Sequence, residues 1–265
     1  MSETHASKQP FGIDFGGTGI KGAPVDLVKG EFAADRTRIE TPAGAKPDDV
    51  AEVVAELVDR GAAPGAPVGI TVPGIVSHGE VRLAANIDKS WVGTDAVKLF
   101  GERLGRDVVV VNDADAAGLA EVRYGAAKDH TGLVIITTLG TGIGSAMVYD
   151  GVLVPNAELG HLEMNGKDAE HQAANSARER EDMGWHHWGK LLTQYYRMVE
   201  MLFSPDLFVV GGGVSKHAAK FLPHVKIRTP IVPAQLRNQA GIVGAAVLAS
   251  EATSRFLQTS TASQP

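Results

Sequence analysis

Two glycine-rich segments constrain this chain more than any other feature. Asp14-Phe15-Gly16-Gly17-Thr18-Gly19-Ile20-Lys21-Gly22 and Leu139-Gly140-Thr141-Gly142-Ile143-Gly144-Ser145 each interrupt a pair of short apolar runs. Apolar runs bounded by glycine read as strands, and two of them about a glycine turn read as a hairpin. Each hairpin opens an antiparallel meander that is followed by helices and further strands. The same device in corresponding places of the two halves is a weak internal repeat, which predicts two similar lobes with a central cleft.

The remaining pattern fills in that plan. In the first half we expect strands over 11–15, 20–28 and 31–40, a helix over 47–60 and a strand over 68–72 that ends at Pro73-Gly74. The 47–60 helix has Pro47 in its first turn and an apolar stripe of Val50, Val53, Val54, Leu57 and Val58. A helix over 96–104 stops at Gly105. The strand over 107–111 is nearly all valine, a composition typical of a central strand covered on both faces. A helix over 114–124 follows. The second half predicts strands over 133–139, 143–149 and 152–154, helices over 169–180 and 185–203, and a strand over 207–210 running into Gly211-Gly212-Gly213. An alanine-rich helix over 239–256 closes the pattern. The expected lobes are 11–112 plus 245–258, and 113–244. Residues 1–10 and 259–265 read as a disordered leader and tail.

Composition removes several function classes. With 44% hydrophobic and 21% charged residues among 265, the chain reads as an ordinary folded protein. It has no cysteine, so disulfides, a thiolate zinc site and a cysteine nucleophile are excluded. The net charge of −6 argues against nonspecific nucleic-acid binding. No apolar run approaches the roughly 20 residues of a membrane span, and the first ten residues resemble no signal peptide. A cytoplasmic protein without a membrane partner is expected.

The turns suggest an anion. Gly16, Gly17 and Gly19 leave backbone N–H groups uncovered, and a tight turn can aim several at one phosphate. Thr18 adds a hydroxyl and Lys21 a charge. Asp14 would repel a phosphate, so it reads as a ligand for Mg²⁺. Gly140, Thr141 and Gly142 repeat the recipe without the acid. Neither segment has P-loop or dinucleotide spacing. Taken singly, each is equally an ordinary hairpin turn.

A second group of residues suits a hydroxylated substrate. Asn112-Asp113 stands at the carboxyl end of the valine strand, where α/β folds place ligands. Phosphoryl transfer to an alcohol needs a base, and Asp113 is the candidate. Asp115 is its rival, placed to cap the helix or face solvent, and an N-cap role is the alternative for Asp113 itself. In Glu158-Leu159-Gly160-His161, a carboxylate and an imidazole three apart can take neighbouring hydroxyls, with Gly160 leaving room for a ring. Glu163 beside them does not complete a zinc set. Thr71 and Gly74 could floor the same site. His186 and His187 read as packing or surface groups.

In these residues the chain resembles the ROK family of sugar kinases, and within it the polyphosphate-using glucokinase branch. The likeness runs from Phe11 to about Leu248 through Asp14–Gly22, 69–76, Asn112–Asp115, Leu139–Ser145, Glu158–His161 and 204–215. It implies an α/β, two-lobed actin-like ATPase (ribonuclease H-like) fold, and a homodimer. It implies glucose held by Asn112, Asp113, Glu158 and His161, with Glu170 in the place of a further sugar-contacting glutamate. It assigns Gly211, Gly212 and Gly213 to the nucleotide or second phosphate region, and Mg²⁺ as cofactor. Many members carry one histidine and three cysteines after this Glu-x-Gly-His segment. Here residues 163–170 lack cysteine, so no structural zinc is expected. DNA-binding relatives carry a helix-turn-helix ahead of the kinase fold, and the ten residues before the first strand are too few for one.

The expected reaction is transfer from inorganic polyphosphate, and also ATP, to the 6-hydroxyl of glucose. A polyanion donor asks for a cationic path, with Lys21, Lys128, His130, Lys216, Lys220, Lys226 and Arg228 as candidates. The alternatives are an ATP-only kinase for glucose, mannose or another hexose, and a non-catalytic sugar sensor.

Overall fold

The computed structural model describes residues 8–84 and 87–262, with side chains as far as Ser254. The chain divides into two compact units, 1–117 with 241–265, and 118–240. The division falls inside the helix that follows Asn112.

The first unit is built on a six-stranded sheet. Its strands are β1 (Phe11–Gly16), β2 (Gly19–Asp26), β3 (Glu31–Phe32), β4 (Thr37–Ile39), β5 (Val68–Val72) and, after the hairpin of β6 (Gly74–Ser77) and β7 (Glu80–Ala84), β8 (Val108–Asn112). The order is β3-β2-β1-β5-β8, with β4 also on β2. β1 and β2 are antiparallel and pair through Gly16 and Gly19, while β5 and β8 run parallel to β1. Helices α1 (Pro47–Gly61) and α2 (Ala96–Leu104) cover this sheet. α1 carries Pro47, Asp48 and Asp49 in its first turn and buries Val50, Val54, Leu57 and Val58. Trp91 sits in the core between Phe15 and Phe100, at centroid distances of 5.6 and 6.0 Å, and its indole N–H donates to the Ala45 carbonyl at 2.8 Å. A buried indole needs such an acceptor. From the end of β8, helix α3 (Asp113–Tyr124) leads into the second unit.

The second unit repeats the topology. Strands β9 (Leu133–Leu139), β10 (Ile143–Tyr149) and β11 (Val152–Val154) form the meander. A short hairpin of β12 (Glu163–Met164) and β13 (Lys167–Asp168) leads to helices α4 (Glu170–Ala173), α5 (Asn175–Arg180) and α6 (Trp185–Phe203). Then come β14 (Leu207–Gly211), the short helix α7 (Ala218–Phe221) and β15 (Ile231–Pro233). The sheet order is β11-β10-β9-β14-β15, with β14 parallel to β9. Third, second, first, then two later parallel strands is the pattern of both sheets, so the repeat suspected from the two turns extends through the whole topology. One face buries Trp188, Tyr195, Tyr196, Phe208 and Phe221, and the other buries Val134, Ile136, Val148 and Val209.

Helix α8 (Ala240–Ala262) returns to the first unit. A Cβ on Gly12 would collide with the Ile242 carbonyl, and one on Gly69 with that of Ala245. The helix therefore lies directly on β1 and β5, which explains why its buried face is mostly alanine.

Several expectations are corrected. The valine strand is an edge strand, bonded only to β5 among the described strands, with Val109 and Val110 half-buried. Its valines report coverage by neighbouring side chains, not strand partners on both sides. The 31–40 strand is two short strands. The 68–72 strand ends before Pro73-Gly74 as expected, and Gly74 then opens the β6–β7 hairpin. The 169–180 helix is broken at Ala174, whose ψ of 159° is extended. α8 continues to Ala262, through part of the expected tail. Pro10, placed in the leader, is buried, and its carbonyl accepts the Val25 N–H at 2.9 Å. Residues 1–7 and 263–265 of the expected leader and tail lie outside the described residues.

Candidate active site

In the first unit, the β1–β2 pairing leaves Gly17 and Thr18 as an exposed two-residue turn. The Gly16 carbonyl accepts the Thr41 hydroxyl at 2.5 Å, and the Thr18 carbonyl accepts the Arg38 guanidinium at 2.7 Å. Because a trans peptide points its N–H opposite its carbonyl, the Gly17 N–H faces away from Thr41. Nothing lies within 4 Å of the position a Gly17 Cβ would take, so that approach is open. At Gly19 the corresponding space is filled by Arg38, 2.5 Å away. Arg38 is thus a cation at the first glycine turn that the sequence reading missed. Its only signal is tertiary, the pairing of β4 with β2 opposite Lys21.

Asp14 faces Lys21 across the β1–β2 pair. Its Oδ2 takes the Lys21 ammonium at 3.2 Å, and its Oδ1 lies 3.5 Å from the Thr71 hydroxyl. Thr71 is fully buried and also accepts the Phe15 N–H at 3.1 Å. It therefore props Asp14, instead of flooring a sugar site. Among the described residues no group of three or more His, Asp or Glu side chains is arranged to hold a metal ion. One half-buried carboxylate fits a divalent cation that takes its other ligands from phosphate oxygens and water, but not a cage made by protein alone.

At the end of β8, Asn112 is 6% exposed and spent on structure. Its Oδ1 accepts the Asp115 N–H at 2.9 Å, which makes it the cap of α3, and its Nδ2 donates to the Gly74 carbonyl at 3.0 Å. The capping role considered for Asp113 falls to Asn112. One amide hydrogen of Asn112 is left for a ligand. A Cβ on Gly74 would collide with the Leu83 carbonyl. Gly74 is required by its hairpin and serves the site through Asn112. Asp113 opens α3 half-buried, with Oδ1 accepting the Ala114 N–H at 2.9 Å. Asp115, its rival, is 1% exposed, contrary to the solvent-facing placement expected for it.

The second unit gathers four polar side chains. After β11, Leu159–His161 forms a single 3₁₀ turn, and the β12–β13 hairpin closes on Asn165 and Gly166 with φ of 53° and 77°. Such left-handed pairs favour Asn-Gly. This hairpin occupies the region where a zinc motif would fall, and it carries Asp168 to His161. The Asp168 carboxylate meets His161 Nδ1 at 2.9 Å, and His161 Nε2 lies 4.0 Å from Glu158. Glu170, at the start of α4, accepts the Ile143 N–H at 3.1 Å, and a Cβ on Gly142 would collide with its carboxylate. Glu170 is therefore bonded directly to the second glycine turn. Gly160 is explained differently from expectation, since a Cβ there would collide with the Ile143 carbonyl. It permits a close backbone approach and does not clear space for a ring. Asp168 was missed because it is ordinary in sequence until the hairpin turns it inward.

The electrostatics are mutual. The hydrogen bond that His161 Nδ1–H donates to the Asp168 carboxylate is the chief cause that holds the His161 pKa above its usual value; burial opposes it, and Glu170 and Glu158 add to it. Burial raises the Glu158 pKa, with His161 opposing and Glu170 reinforcing. With Nδ1 committed to Asp168, the neutral ring offers Nε2 as an acceptor and the charged ring offers it as a donor.

The second turn itself is braced from outside. Gly140 and Thr141 offer their carbonyls to the Ser176 N–H at 3.0 Å and hydroxyl at 2.5 Å. The triple glycine follows β14. Gly212 has φ of 81°, and a Cβ there would lie 2.5 Å from the Leu139 carbonyl, so this turn abuts the base of the second hairpin. Gly211 ends the strand, and Gly213 is open. Next to it lies a hollow of about 510 Å³ lined by Ser215, Lys216, Pro233, Gln235 and Arg237. The fully buried Glu121 carboxylate shapes its wall by accepting the N–H groups of Ala126, Gln235 and Leu236 at 2.8, 3.1 and 2.7 Å. Of the other expected cations, Lys226 donates to the Pro223 carbonyl at 2.8 Å and Arg228 pairs with Glu200 at 3.3 Å. Lys128 and His130 lie on the exposed turn after α3.

Comparison with known proteins agrees with this geometry. The profile of the ROK family matches residues 10–175. A polyphosphate glucokinase of Mycobacterium tuberculosis is 52% identical over 89% of this chain and 89% of its own length. The crystal structure of an inorganic polyphosphate/ATP-glucomannokinase from an Arthrobacter species is 56% identical, with a TM-score of 0.87 over 92% of this chain and 98% of that one. A ROK family glucokinase from Streptomyces griseus, solved with glucose and AMPPNP, is 26% identical, with a TM-score of 0.77 over 92% of this chain and 99% of that one.

Proposed function

We infer a sugar kinase from one premise: the chain belongs to the ROK family. It transfers a phosphoryl group from inorganic polyphosphate to the 6-hydroxyl of glucose. The observation that carries this reading is the bond between Glu170 and the Ile143 N–H at 3.1 Å. It joins a set of hydroxyl-binding groups to a phosphate-binding turn within one unit, and transfer between a sugar and a phosphate needs those two functions side by side.

The roles of single residues follow from their chemistry. Asp113 takes the proton of the attacking hydroxyl. Its support is its position at the end of β8, half-buried and with one oxygen engaged by its own helix. A carboxylate suffices as base because the hydroxyl proton leaves late in a loose transition state. Glu158, His161 and Glu170, with Asp168 fixing the His161 ring, accept from and donate to the glucose hydroxyls, and Asn112 adds its remaining amide hydrogen. The turns at Gly16–Gly19 and Gly140–Gly142 present backbone N–H groups to the donor phosphates, with Thr18, Thr141, Lys21 and Arg38 beside them and the turn at Gly211–Gly213 next along. A Mg²⁺ ion shared with the donor would neutralise phosphate charge, with Asp14 as its protein ligand. ATP is the second donor. The hollow beside Gly213, with Lys216 and Arg237 on its wall, has the size to take a nucleoside.

We also propose a homodimer in the cytoplasm. Val152, Val154 and Tyr149 are exposed at the β10–β11 end of the second sheet, an apolar edge of the kind that oligomers cover. Among the described residues no helix is long and apolar enough to cross a membrane. The deciding assay for function follows glucose 6-phosphate with purified protein, glucose and Mg²⁺, supplying polyphosphate and ATP separately. No product with polyphosphate rejects the donor. Glucose binding without turnover on either donor would favour a sensor. Light scattering on the eluting protein tests the dimer.

A further inference from the structure

Trp185 opens α6, and its indole collects basic groups from three separate segments. The Arg178 guanidinium carbon lies 4.3 Å from the ring centroid, and the Lys220 ammonium lies 5.8 Å from it. The His217 ring is 5.6 Å away, tilted by 50°. Trp188 and Phe221 pack on the same indole at 6.0 and 6.1 Å and fix its plane. Arg178 is further held by Asn175 Oδ1 at 3.0 Å. Among the described residues, the one ion pair in this group is Arg178 with the exposed Glu179 at 3.2 Å.

Each basic group arrives from a phosphate-binding segment. Arg178 lies on α5, whose Ser176 holds the Gly140 and Thr141 carbonyls. His217 ends the 3₁₀ turn that begins at Gly213, and Lys220 lies one helical turn further on. The indole thus stands where the segments leaving the two turns meet. Arg178 and Lys220 at one ring repel each other, and the ring face returns only about 0.5–1 kcal/mol to the exposed Lys220. An arrangement made only for stability would set carboxylates among them. Here Lys220 and the neighbouring Lys216 are left exposed to solvent.

We propose that Arg178, His217 and Lys220 form a basic shelf around Trp185 that holds the polyphosphate chain beyond the phosphates gripped by the glycine turns. Such a shelf would favour long chains over short ones. The proposal rests on the polyphosphate reading and adds to it the residues that recognise the distal chain. ATP, with no phosphates beyond its own three, does not reach the shelf.

The test compares kinetics with long-chain polyphosphate, tripolyphosphate and ATP for wild type, Lys220→Ala and the double variant Arg178→Gln/Lys220→Ala. Each is measured over a range of salt, with thermal melting alongside. The KM for long chains should rise about threefold in Lys220→Ala and more than tenfold in the double variant, as expected for lost phosphate contacts. The slope of log kcat/KM against log salt should become shallower by about one for each cation removed, by analogy with nucleic-acid phosphates. The KM values for glucose, tripolyphosphate and ATP should not move. Unchanged long-chain kinetics in a folded Lys220→Ala protein overturns the shelf alone, and so does an equal loss with all three donors. If the double variant does not fold, Lys220→Ala decides, because its side chain is exposed. Wild-type protein inactive with every polyphosphate, yet active with ATP, overturns the donor reading and the shelf together.

Discussion

Gly142→Ala probes the joint between Glu170, proposed to bind the sugar, and the turn proposed to bind phosphate. The new methyl would occupy the space of the Glu170 carboxylate. Gly142 does not have a left-handed φ, so the backbone accepts alanine without strain. The carboxylate is the far end of a flexible side chain, so it swings aside and the fold survives. The swing breaks the Ile143 N–H bond to Glu170, now 3.1 Å long. A hydrogen bond to a charged group contributes about 1.5–3 kcal/mol. If most of that positions Glu170 for the sugar, kcat/KM for glucose falls roughly ten- to a hundredfold. Thermal stability should fall modestly as well, because the N–H of buried Ile143 loses its acceptor. The assay is steady-state kinetics on Gly142→Ala, Glu170→Gln and the double variant, read as a cycle. The two single losses should not add, because both remove the same contact. Wild-type kcat/KM in Gly142→Ala, or fully additive losses, refutes the joint.

Three further outcomes are expected. Asp113→Asn should retain glucose binding by calorimetry while turnover drops by about 10²–10⁴-fold, the usual share of a general base; undiminished turnover removes Asp113 from that role. Asp168→Asn should lower the His161 pKa, read by NMR titration of the ring. Because the native pKa is raised, the stability it lends is complete below the unfolded value of about 6.5 and is lost as pH rises through the native value. The difference in melting temperature between wild type and Asp168→Asn should therefore shrink toward alkaline pH, and a difference that grows there contradicts the pairing. Glu121→Ala leaves three partly buried backbone N–H groups without their buried acceptor and should cost about 1–3 kcal/mol, with Glu121→Gln costing less; near-wild-type melting of the alanine variant would show that water replaces the carboxylate.

What could be read from the sequence was whatever lies close along the chain. Asp14 and Lys21 share one hairpin, Glu158 and His161 share one turn, and the glycines announce their own bends. What escaped depends on partners brought from elsewhere. Arg38 reaches the first turn only because β4 pairs with β2, and Asp168 reaches His161 only through the Asn165-Gly166 hairpin. Thr71, Gly74 and Asn112 were grouped as substrate contacts, but the first two are engaged in supporting neighbours. Thr71 holds Asp14, and Gly74 holds Asn112. A strand-end motif reveals that a ligand region is near without revealing which side chains are already spent on the backbone. The valine strand shows the same loss of information, since apolar residues record burial by side chains and carry no record of strand pairing.

The two turns carry this difference into the chemistry. Both sheets have the same strand order, and both first hairpins follow an apolar residue with glycine, Phe15-Gly16 in one and Leu139-Gly140 in the other. One place earlier the first has Asp14 and the second has Thr138. The second turn nevertheless has a carboxylate, delivered by Glu170 from α4 into the space left by Gly142. Each turn therefore has one acid at hand, supplied by its own strand in one unit and by a separate helix in the other. An acid rooted in the strand and tied to Lys21 keeps a fixed place, which suits a cation that must sit at the same point in every turnover. An acid on a four-residue helix that also bonds the turn changes position when the turn does. Binding of a phosphate at Gly140–Gly142 would then be felt at the sugar hydroxyls through Glu170, while binding at Gly16–Gly19 would not be transmitted in that way. On the proposed roles, the duplicated sheet would support two unlike devices, one that anchors a cation and one that couples phosphate to sugar.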